Sequence, residues 1–535
     1  MFLRNLLFLS MVTIGTLTLG FNLIPPRHGL PPTPSNPESY QVDQFQGTVK
    51  QVDASFQKSW SADNIQAALP ADELALARRL SLGLMGTIPS LEEIRQLESQ
   101  PAGERVNWWI DHILQDRRYS DYLAERMARA FVGTEDGPFI FFRRRKFVAW
   151  LSEQITKGVP YDQMVREVIA TEGLWTEKPA TNFITVTVQN DKQNQPDPVR
   201  LAGRVTRAFL GVRLDCAQCH DHPFAPWKQS DFEGFSAFFG QTHIGFQGVY
   251  DGPGEYVVED RKKEVKRTVA PMVAFSRDLL PKDGTLREQM ASWVTHKDNP
   301  YFARAAVNRV WALLCGQPLV TPVDNLETEA PIAPALKILA DDFSSHNFDL
   351  SRLVRIIAST ETYQKQSLSL LDSSGLAEKA WAQFPLTRLR PEQVAGSILQ
   401  ASSVATVNAD SHLVTRLIRL GAQNDFIKRY GDSGEDEFDS RGGTIPQRLV
   451  MMNGKLVTER TGGGAFTATT RIQWLASEDP KAVELVFLAV LTRRPTPEES
   501  AFFEEKLQNP ELSRGQEIQD LFWTLVNTTE FSWNH

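Results

Sequence analysis

The sequence predicts a mainly α-helical fold: a multi-helical two-domain body, with a small β insertion between the domains, after an N-terminal signal-anchor helix. Apolar residues recur three and four positions apart over most of the chain, which is the pattern of one helix face. Capping patterns precede several of these stretches, and the first 24 residues carry a single charge. We expect domains at residues 61–245 and 281–535, joined by a β-rich connector at residues 246–280.

Residues 1–24 contain one charged side chain, Arg4, followed by an uncharged apolar stretch. Its length is close to the ~20 residues that span a bilayer. A cleaved signal peptide has a shorter apolar region and an Ala-x-Ala-like cleavage site, and the sequence shows no obvious site of that kind. An uncleaved signal-anchor is the first interpretation and a cleaved signal peptide is the second. Both predict a protein in the periplasm or at the cell surface, anchored in the inner membrane or secreted.

Six prolines fall within residues 25–37 and predict a stiff, extended linker. We therefore expect a Pro-rich linker at residues 25–60 and the start of the folded part near Ser61. Within the first domain, helical spacing predicts helices at 106–114, 121–131, 142–156 and 161–170. Ser90 and Glu93 form a capping box for a further helix. The apolar alternation at 183–188 predicts a strand.

The strongest chemical signal is the stretch Cys216-Ala217-Gln218-Cys219-His220. Two cysteines separated by two residues and followed directly by histidine form the attachment pattern of a c-type haem. Residues three and four apart share one face of a helical turn, so both sulfurs would bond the porphyrin while His220 ligates the iron. We predict haem c at Cys216, Cys219 and His220, at the end of a helix that begins after Asp197.

Three other interpretations of this stretch stay open. Cys216 and Cys219 with one or both of His220 and His222 provide ligands for zinc. The two cysteines also suit a disulfide or a redox pair, although a thioredoxin-like pair needs a βαβ context and the preceding segment is helical. The third interpretation is no cofactor at all. Export favours haem, because thiols outside the cytoplasm are normally oxidised or covalently occupied.

His222 lies two residues beyond His220, so in a haem protein it would orient or tune the site rather than ligate the same iron. In a zinc site it would be a ligand. An open sixth position on the iron is at least as plausible as any one ligand. Candidates for that ligand are His243, Met272, Met290 and His296. The aromatic stripe that follows the motif indicates a hydrophobic core more than a porphyrin wall; it consists of Phe232, Phe235, Phe238 and Phe239.

The connector is rich in glycine and charge and contains β-favouring residues at 256–258. Helices are predicted again at 286–294, 302–314, 335–344, 351–359, 391–401, 481–492 and 496–507. The last of these starts with a second capping box at Thr496 and Glu499. Residues 77–97 and 486–506 share the order apolar helix, proline-containing turn, capping box and helix. Two copies do not make a solenoid, so the similarity is either a weak internal repeat or a coincidence of helix chemistry.

The sequence gives little support for a catalytic motif, a further metal site or nucleic-acid binding. The sequence lacks G-x-S-x-G, H-E-x-x-H and P-loop patterns, so neither a catalytic dyad nor enzymatic activity can be assigned. Asp324, Glu327 and Glu329 could hold calcium, although acidic loops are usually solvated. The third cysteine, Cys315, reads as a lone buried thiol. The net charge of −8 gives no general attraction to nucleic acid.

The chain resembles the two-part planctomycete proteins in which a planctomycete cytochrome C type domain is followed by a planctomycete-specific domain, both of unknown function. The first domain is carried by FLGVRLDCAQCHDHPF at residues 209–224. The second is carried by NRVWA at 308–312, GQPLVTPVD at 316–324, IPQ at 445–447, MNG at 452–454, and Asn527 with Glu530-Phe531. The resemblance implies two domains and an extracytoplasmic cytochrome-like protein. Taken with the export signal, it predicts electron transfer or redox chemistry within a larger assembly, with membrane and redox or surface-complex protein partners.

Overall fold

The computed structural model describes most of the chain and is mainly helical. The described residues are Ser10, Thr13, 43–134, 144–189, 195–223, 225–260, 265–326, 332–367, 375–403, 405–408, 413–431, 438, 443–464, 467–508 and 511–535. Helices dominate these ranges, and the strands there form two-stranded sheets only, which confirms the mainly helical class. No helix in the described ranges is long and apolar enough to cross a membrane. Apart from Ser10 and Thr13, the predicted signal-anchor lies outside them.

The first half of the chain supplies ten of our labelled helices. They are α1 Asp43–Ala62, α2 Glu73–Met85, α3 Leu91–Glu98, α4 Arg105–Gln115, α5 Arg117–Val132, α6 Arg144–Thr156, α7 Tyr161–Ala170, α8 Asn182–Thr185, α9 Pro198–Val205 and α10 Gln229–Ala237. A π-helix at Thr206–Leu210 extends α9, and 3₁₀ turns lie at Pro179–Thr181 and Leu214–Ala217. These elements lead the chain to the cysteine motif.

The second half of the chain is also mainly helical in its described residues. Its helices are α11 Leu286–Val294, α12 Phe302–Cys315, α13 Pro334–Ser345, α14 Leu350–Ser359, α15 Leu376–Lys379, α16 Pro391–Ala401, α17 Leu413–Tyr430, α18 Ile445–Asn453, α19 Lys455–Thr461, α20 Ala468–Leu475, α21 Asp479–Leu491, α22 Pro497–Leu507 and α23 Arg514–Val526. Short 3₁₀ turns lie at Arg277–Leu279 and Glu530–Ser532.

The strands pair antiparallel in two-stranded sheets. They are β1 Val188–Gln189 with β2 Gln195–Pro196, β3 Thr242–Gly245 with β4 Gly248–Asp251, β5 Val257–Asp260 with β6 Val265–Thr268, and β7 Thr387–Arg388 with β8 Trp533–Asn534. The predicted β insertion is thus two hairpins, and the first begins slightly before residue 246.

The linker prediction is wrong for residues 43–60, because α1 occupies them. One face of this helix is buried at Phe45, Val49, Val52, Phe56 and Trp60. The indole of Trp60 also donates to the carbonyl oxygen of Ala380 at 2.8 Å. The proline composition ends at residue 37, and the helical spacing after it defines a packed element rather than a spacer.

The strand predicted at residues 183–188 is also wrong over most of its length. The segment forms α8, and only Val188 enters a strand, where it pairs with Pro196. Phe183, Ile184 and Thr185 are all fully buried. A short segment buried on every side shows the same apolar content whether it is helix or strand, so periodicity cannot separate the two.

The hydrophobic packing does not divide the chain at the predicted connector. One core runs from Phe45 to Phe384 and takes in α1 to α15 with Leu488. The second runs from Leu389 to Phe531 and takes in Leu82 and Ile88 from the N-terminal half. Residues 61–245 therefore share their hydrophobic core with the segment that follows the connector. The boundary between the two cores does not coincide with the connector that the sequence predicted at residues 246–280.

Two adjacent buried arginines on α2 bind to backbone of the C-terminal half. Arg78 donates to the carbonyl oxygens of Val490 at 3.1 Å and Phe531 at 3.3 Å. Arg79 donates to Tyr363 and, at 3.0 Å, to Lys365. Burial lowers the pKa of both guanidinium groups to about 10. Since a buried cation is costly without hydrogen-bond partners, these carbonyl groups are required for the fold.

Arg79→Lys should destabilise the protein by about 2–3 kcal/mol, because one ammonium cannot reproduce the two-pronged donation of a guanidinium. The urea-unfolding midpoint of the purified protein measures the change. Arg95→Lys, at an exposed position of α3, is the matched control and should change stability by about 0.5 kcal/mol or less. Equal midpoints for the two variants would contradict the importance assigned to Arg79.

Candidate functional site

The chain reaches the cysteine motif through α9 and the π-helix that extends it. The side chain of Asp197 accepts hydrogen bonds from Val199 and Arg200 backbone nitrogens, so it caps α9 as predicted. The helix predicted to continue to the motif instead stops at Leu210. Gly211 ends it with a φ of 60°, a left-handed conformation that suits glycine. Single π turns inside helices are frequent at functional sites.

The motif lies on an exposed turn held from beneath by two apolar side chains. Leu214 and Ala217 are 1% and 0% exposed and belong to the 3₁₀ turn Leu214–Ala217. Cys216, Cys219 and His220 face solvent, and both thiols are free. The predicted site residues are thus together on one short surface segment at a helix end.

The ring of His220 is held by its neighbour in a way that suits a metal ligand. Its Nδ1 lies 2.7 Å from the carbonyl oxygen of Asp221. Because a carbonyl oxygen only accepts hydrogen bonds, Nδ1 carries the proton in the neutral ring and Nε2 keeps its lone pair. A hydrogen bond of this kind fixes the orientation of metal-binding histidines.

The segment after the motif folds back onto the start of α10. His222, which is partly buried, donates its backbone N–H to the carbonyl oxygen of Trp227 at 2.8 Å. The carboxylate of Asp221 accepts from the backbone nitrogen of Gln229 at 2.9 Å, and the Gln229 side chain donates to the carbonyl of Gln218 at 3.3 Å. These bonds close the loop that carries both histidines.

The four candidates for a sixth iron ligand lie in different surroundings. Met290 is fully buried in the first core. The ring of His243 packs against Tyr250 with centroids 5.5 Å apart, and Nδ1 of His296 accepts from the backbone of Asp298. Met272 donates its backbone N–H to Gly234. The aromatic stripe is core, as expected, since Phe232, Phe235, Phe238 and Phe239 are at most 2% exposed.

A loop from the C-terminal half contacts the segment directly before the motif, which sequence reasoning missed. Arg213 forms a two-pronged ion pair with Asp324 at 3.0 and 2.8 Å. Asp324, considered above as a calcium ligand, is therefore paired with an arginine. Glu327 and Glu329 lie outside the described residues. The only earlier signal was that Arg213 and Asp324 both occur in the residues that carry the family resemblance.

The donor set fits the predicted haem. Two free, exposed thiols are separated by two residues, and an imidazole with an available Nε2 follows directly. The same sulfur and nitrogen atoms also suit zinc. Among the described residues, a group whose ligand atoms converge to within 4.8 Å is formed by Glu93 on α3, His112 on α4 and Asp116 at the N-cap of α5. Arg118 donates to both carboxylates of that group, so it is an internal ion-pair network.

The exposure of the thiols predicts which cysteines react in the folded protein. In reduced, cofactor-free protein, Cys216 and Cys219 should be alkylated by a maleimide within minutes, and Cys315 only after unfolding. Cys315 is 1% exposed, and burial raises the pKa of its thiol, so little reactive thiolate is accessible. Mass spectrometry counts the labels. Native labelling of all three cysteines, or protection of the first two, would contradict the described geometry.

Both halves of this site fall within regions that match family models. Residues 51–244 match PSCyt2, described as a protein of unknown function (DUF1549), and residues 286–507 match PSD1, described as a protein of unknown function (DUF1553). No curated protein and no solved structure matches the chain. The cysteine motif lies in the first match and Asp324 in the second. The chain belongs to the two-domain family in which a PSCyt2 domain is followed by a PSD1 domain.

Proposed function

We propose that this protein is an extracytoplasmic, membrane-anchored, cytochrome-like protein with one c-type haem, which serves electron transfer or redox chemistry within a larger assembly. The observation that carries the proposal is the exposed turn with Cys216, Cys219 and His220. The two thiols would bond the porphyrin covalently, and Nε2 of His220 would ligate the iron. When bound, the haem supplies one-electron chemistry.

The protein's own contribution to that chemistry is orientation and access. The hydrogen bond from Nδ1 to the Asp221 carbonyl would fix the plane of the His220 ring and make its other nitrogen a better ligand. Because the motif is exposed, a haem bound there would be accessible to a partner protein. Such access suits exchange of electrons between proteins more than chemistry on an enclosed small molecule, which would need a concave pocket.

Location and partners follow from the sequence rather than from the fold. The apolar segment at residues 1–24 would anchor the protein, and the prolines at 25–37 would separate the body from the bilayer. The compartment outside the cytoplasm is oxidising, which suits cysteines whose sulfurs are bonded to haem as thioethers and are no longer free thiols. We propose redox or surface-complex proteins as the partners.

A scaffold or binding protein that holds zinc or a disulfide at the same turn is the alternative. The observation in its favour is that His222 lies in the same closed loop as His220, so a fourth zinc donor is nearby. A tetrahedral site, however, needs all its ligands to converge, whereas haem attachment needs two accessible thiols and one histidine. The exposed Cys216, Cys219 and His220 of this turn offer the two thiols and the histidine that haem attachment needs.

Protein produced with a haem-maturation system should retain its Soret absorption after acid–acetone extraction, because thioether-linked haem cannot be removed that way. The Cys216→Ser and Cys219→Ser double variant should lose the colour. A colourless wild-type protein with both thiols free, or one that carries one zinc per chain by metal analysis, would overturn the haem assignment.

His220→Ala and His222→Ala should differ in effect if haem is bound. The first variant should abolish the histidine-ligated spectrum, since it removes the iron ligand. The second should leave attachment intact and shift the reduction potential modestly, because groups around a ligand tune a metal without holding it. Absorption spectra and redox titration of the two proteins provide the measurement. Equal loss of cofactor in both would favour zinc, in which each histidine is a ligand.

A further inference from the structure

The turn that carries Cys216 is held by a loop more than one hundred residues away in sequence. Arg213, three residues before Cys216, places its guanidinium against both oxygens of Asp324 at 3.0 and 2.8 Å. Its carbonyl oxygen accepts from the backbone nitrogen of Cys216 at 3.3 Å. The residue that fixes the start of the motif is therefore itself fixed by Asp324.

A second contact joins the same two segments through the backbone. The nitrogen of Leu326 donates to the carbonyl oxygen of Gly211 at 2.6 Å. A Cβ on Gly211 would lie 3.1 Å from the Leu326 side chain, so the glycine permits this close approach as well as its positive φ. Upstream, the Asn308 side chain bonds both the carbonyl and the N–H of Val320. The loop is thus held by α12 before it reaches the motif.

The charges continue from Asp324 to the cysteine. Arg207, on the π-helix, forms an ion pair with Asp215, which directly precedes Cys216. Its Nη1 also lies 4.0 Å from Asp324. The hydrogen bond to Asp215 raises the pKa of Arg207, with a smaller contribution from the charge of Asp324. Two arginines and two carboxylates therefore form one connected, formally neutral network beside the motif.

We infer that Asp324 is a positioning residue of the cysteine site: it holds Arg213 and Arg207, and through them fixes the turn that carries Cys216. This network provides a reason why the C-terminal domain accompanies the cysteine motif in one chain. The part of the inference that concerns a cofactor rests on the proposed haem. The part that concerns the turn does not.

Removal of the Asp324 charge has two physical consequences. Arg213 loses its carboxylate, so the turn at residues 211–218 opens more often, and its amides exchange faster with solvent. The network beside the motif also gains one net positive charge. Positive charge stabilises the reduced form of a haem, which carries one charge less than the oxidised form, so the reduction potential should rise.

The test compares Asp324→Asn with Asp342→Asn in the full chain. Asp342 also forms a two-pronged pair with an arginine, Arg352, at 2.9 and 2.9 Å, but that pair lies between α13 and α14. In protein without haem, hydrogen–deuterium exchange at 211–218 should become about tenfold faster in the first variant only. In haem-loaded protein, only the first variant should raise the reduction potential. Asp324→Glu, which keeps the charge, should restore both values toward wild type.

The inference about Asp324 and the proposed haem function can fail independently of each other. Unchanged exchange at 211–218 in Asp324→Asn, or an equal increase there in Asp342→Asn, would overturn the inference whether or not haem binds. A wild-type chain that binds no haem would overturn the proposed function, and the exchange rates would still decide the role of Asp324. If Asp324→Asn does not fold, Arg213→Gln removes the same ion pair from its other side. Faster exchange at 211–218 in that variant would support the inference, and unchanged exchange there would overturn it.

Discussion

Two desolvated positive charges on one helix determine how the halves of this protein combine. Arg78 and Arg79 are each 1% exposed, and the hydrogen bonds described for them go to backbone carbonyls of residues 363, 365, 490 and 531. A cation in an apolar interior is tolerated only with such partners. The N-terminal half can therefore bury α2 only when the C-terminal half is folded around it. The same dependence recurs at the cysteine turn, where Arg213 needs Asp324.

The two segments with the same order of helix, turn and capping box show this dependence in a symmetrical form. Helices α2 and α21 have the same length; each ends at a left-handed residue, Gly86 or Thr492, and each is followed by a capping box. Corresponding leucines are exchanged between the cores: Leu82 packs in the C-terminal core and Leu488 in the N-terminal one. Each segment thus contributes one leucine to the hydrophobic core that contains most of the other segment.

The sequence predicted correctly the features that depend on residues close together in the chain. Helices α7, α11 and α16 have the predicted bounds, since buried apolar residues recur at helical spacing within each segment; for α11, Thr285 also caps the start. Sequence reasoning failed for α18, whose Ile445, Leu449 and Met452 point outward, because periodicity detects buried faces only. The motif itself was found from spacing. The ion pair of Arg213 with Asp324 was not, because no local pattern encodes a contact across 111 residues.

The proposed function depends on covalent attachment of haem at the exposed cysteine turn, and one tryptic peptide tests that attachment directly. Trypsin cleavage after Arg213 and Lys228 releases residues 214–228, which contain both motif cysteines and both histidines. Mass spectrometry of that peptide, from protein made with haem maturation, should show the peptide mass plus one haem, with fragment ions that place the modification on Cys216 and Cys219. A peptide at its unmodified mass, or at the mass of an internal disulfide, would contradict the central claim.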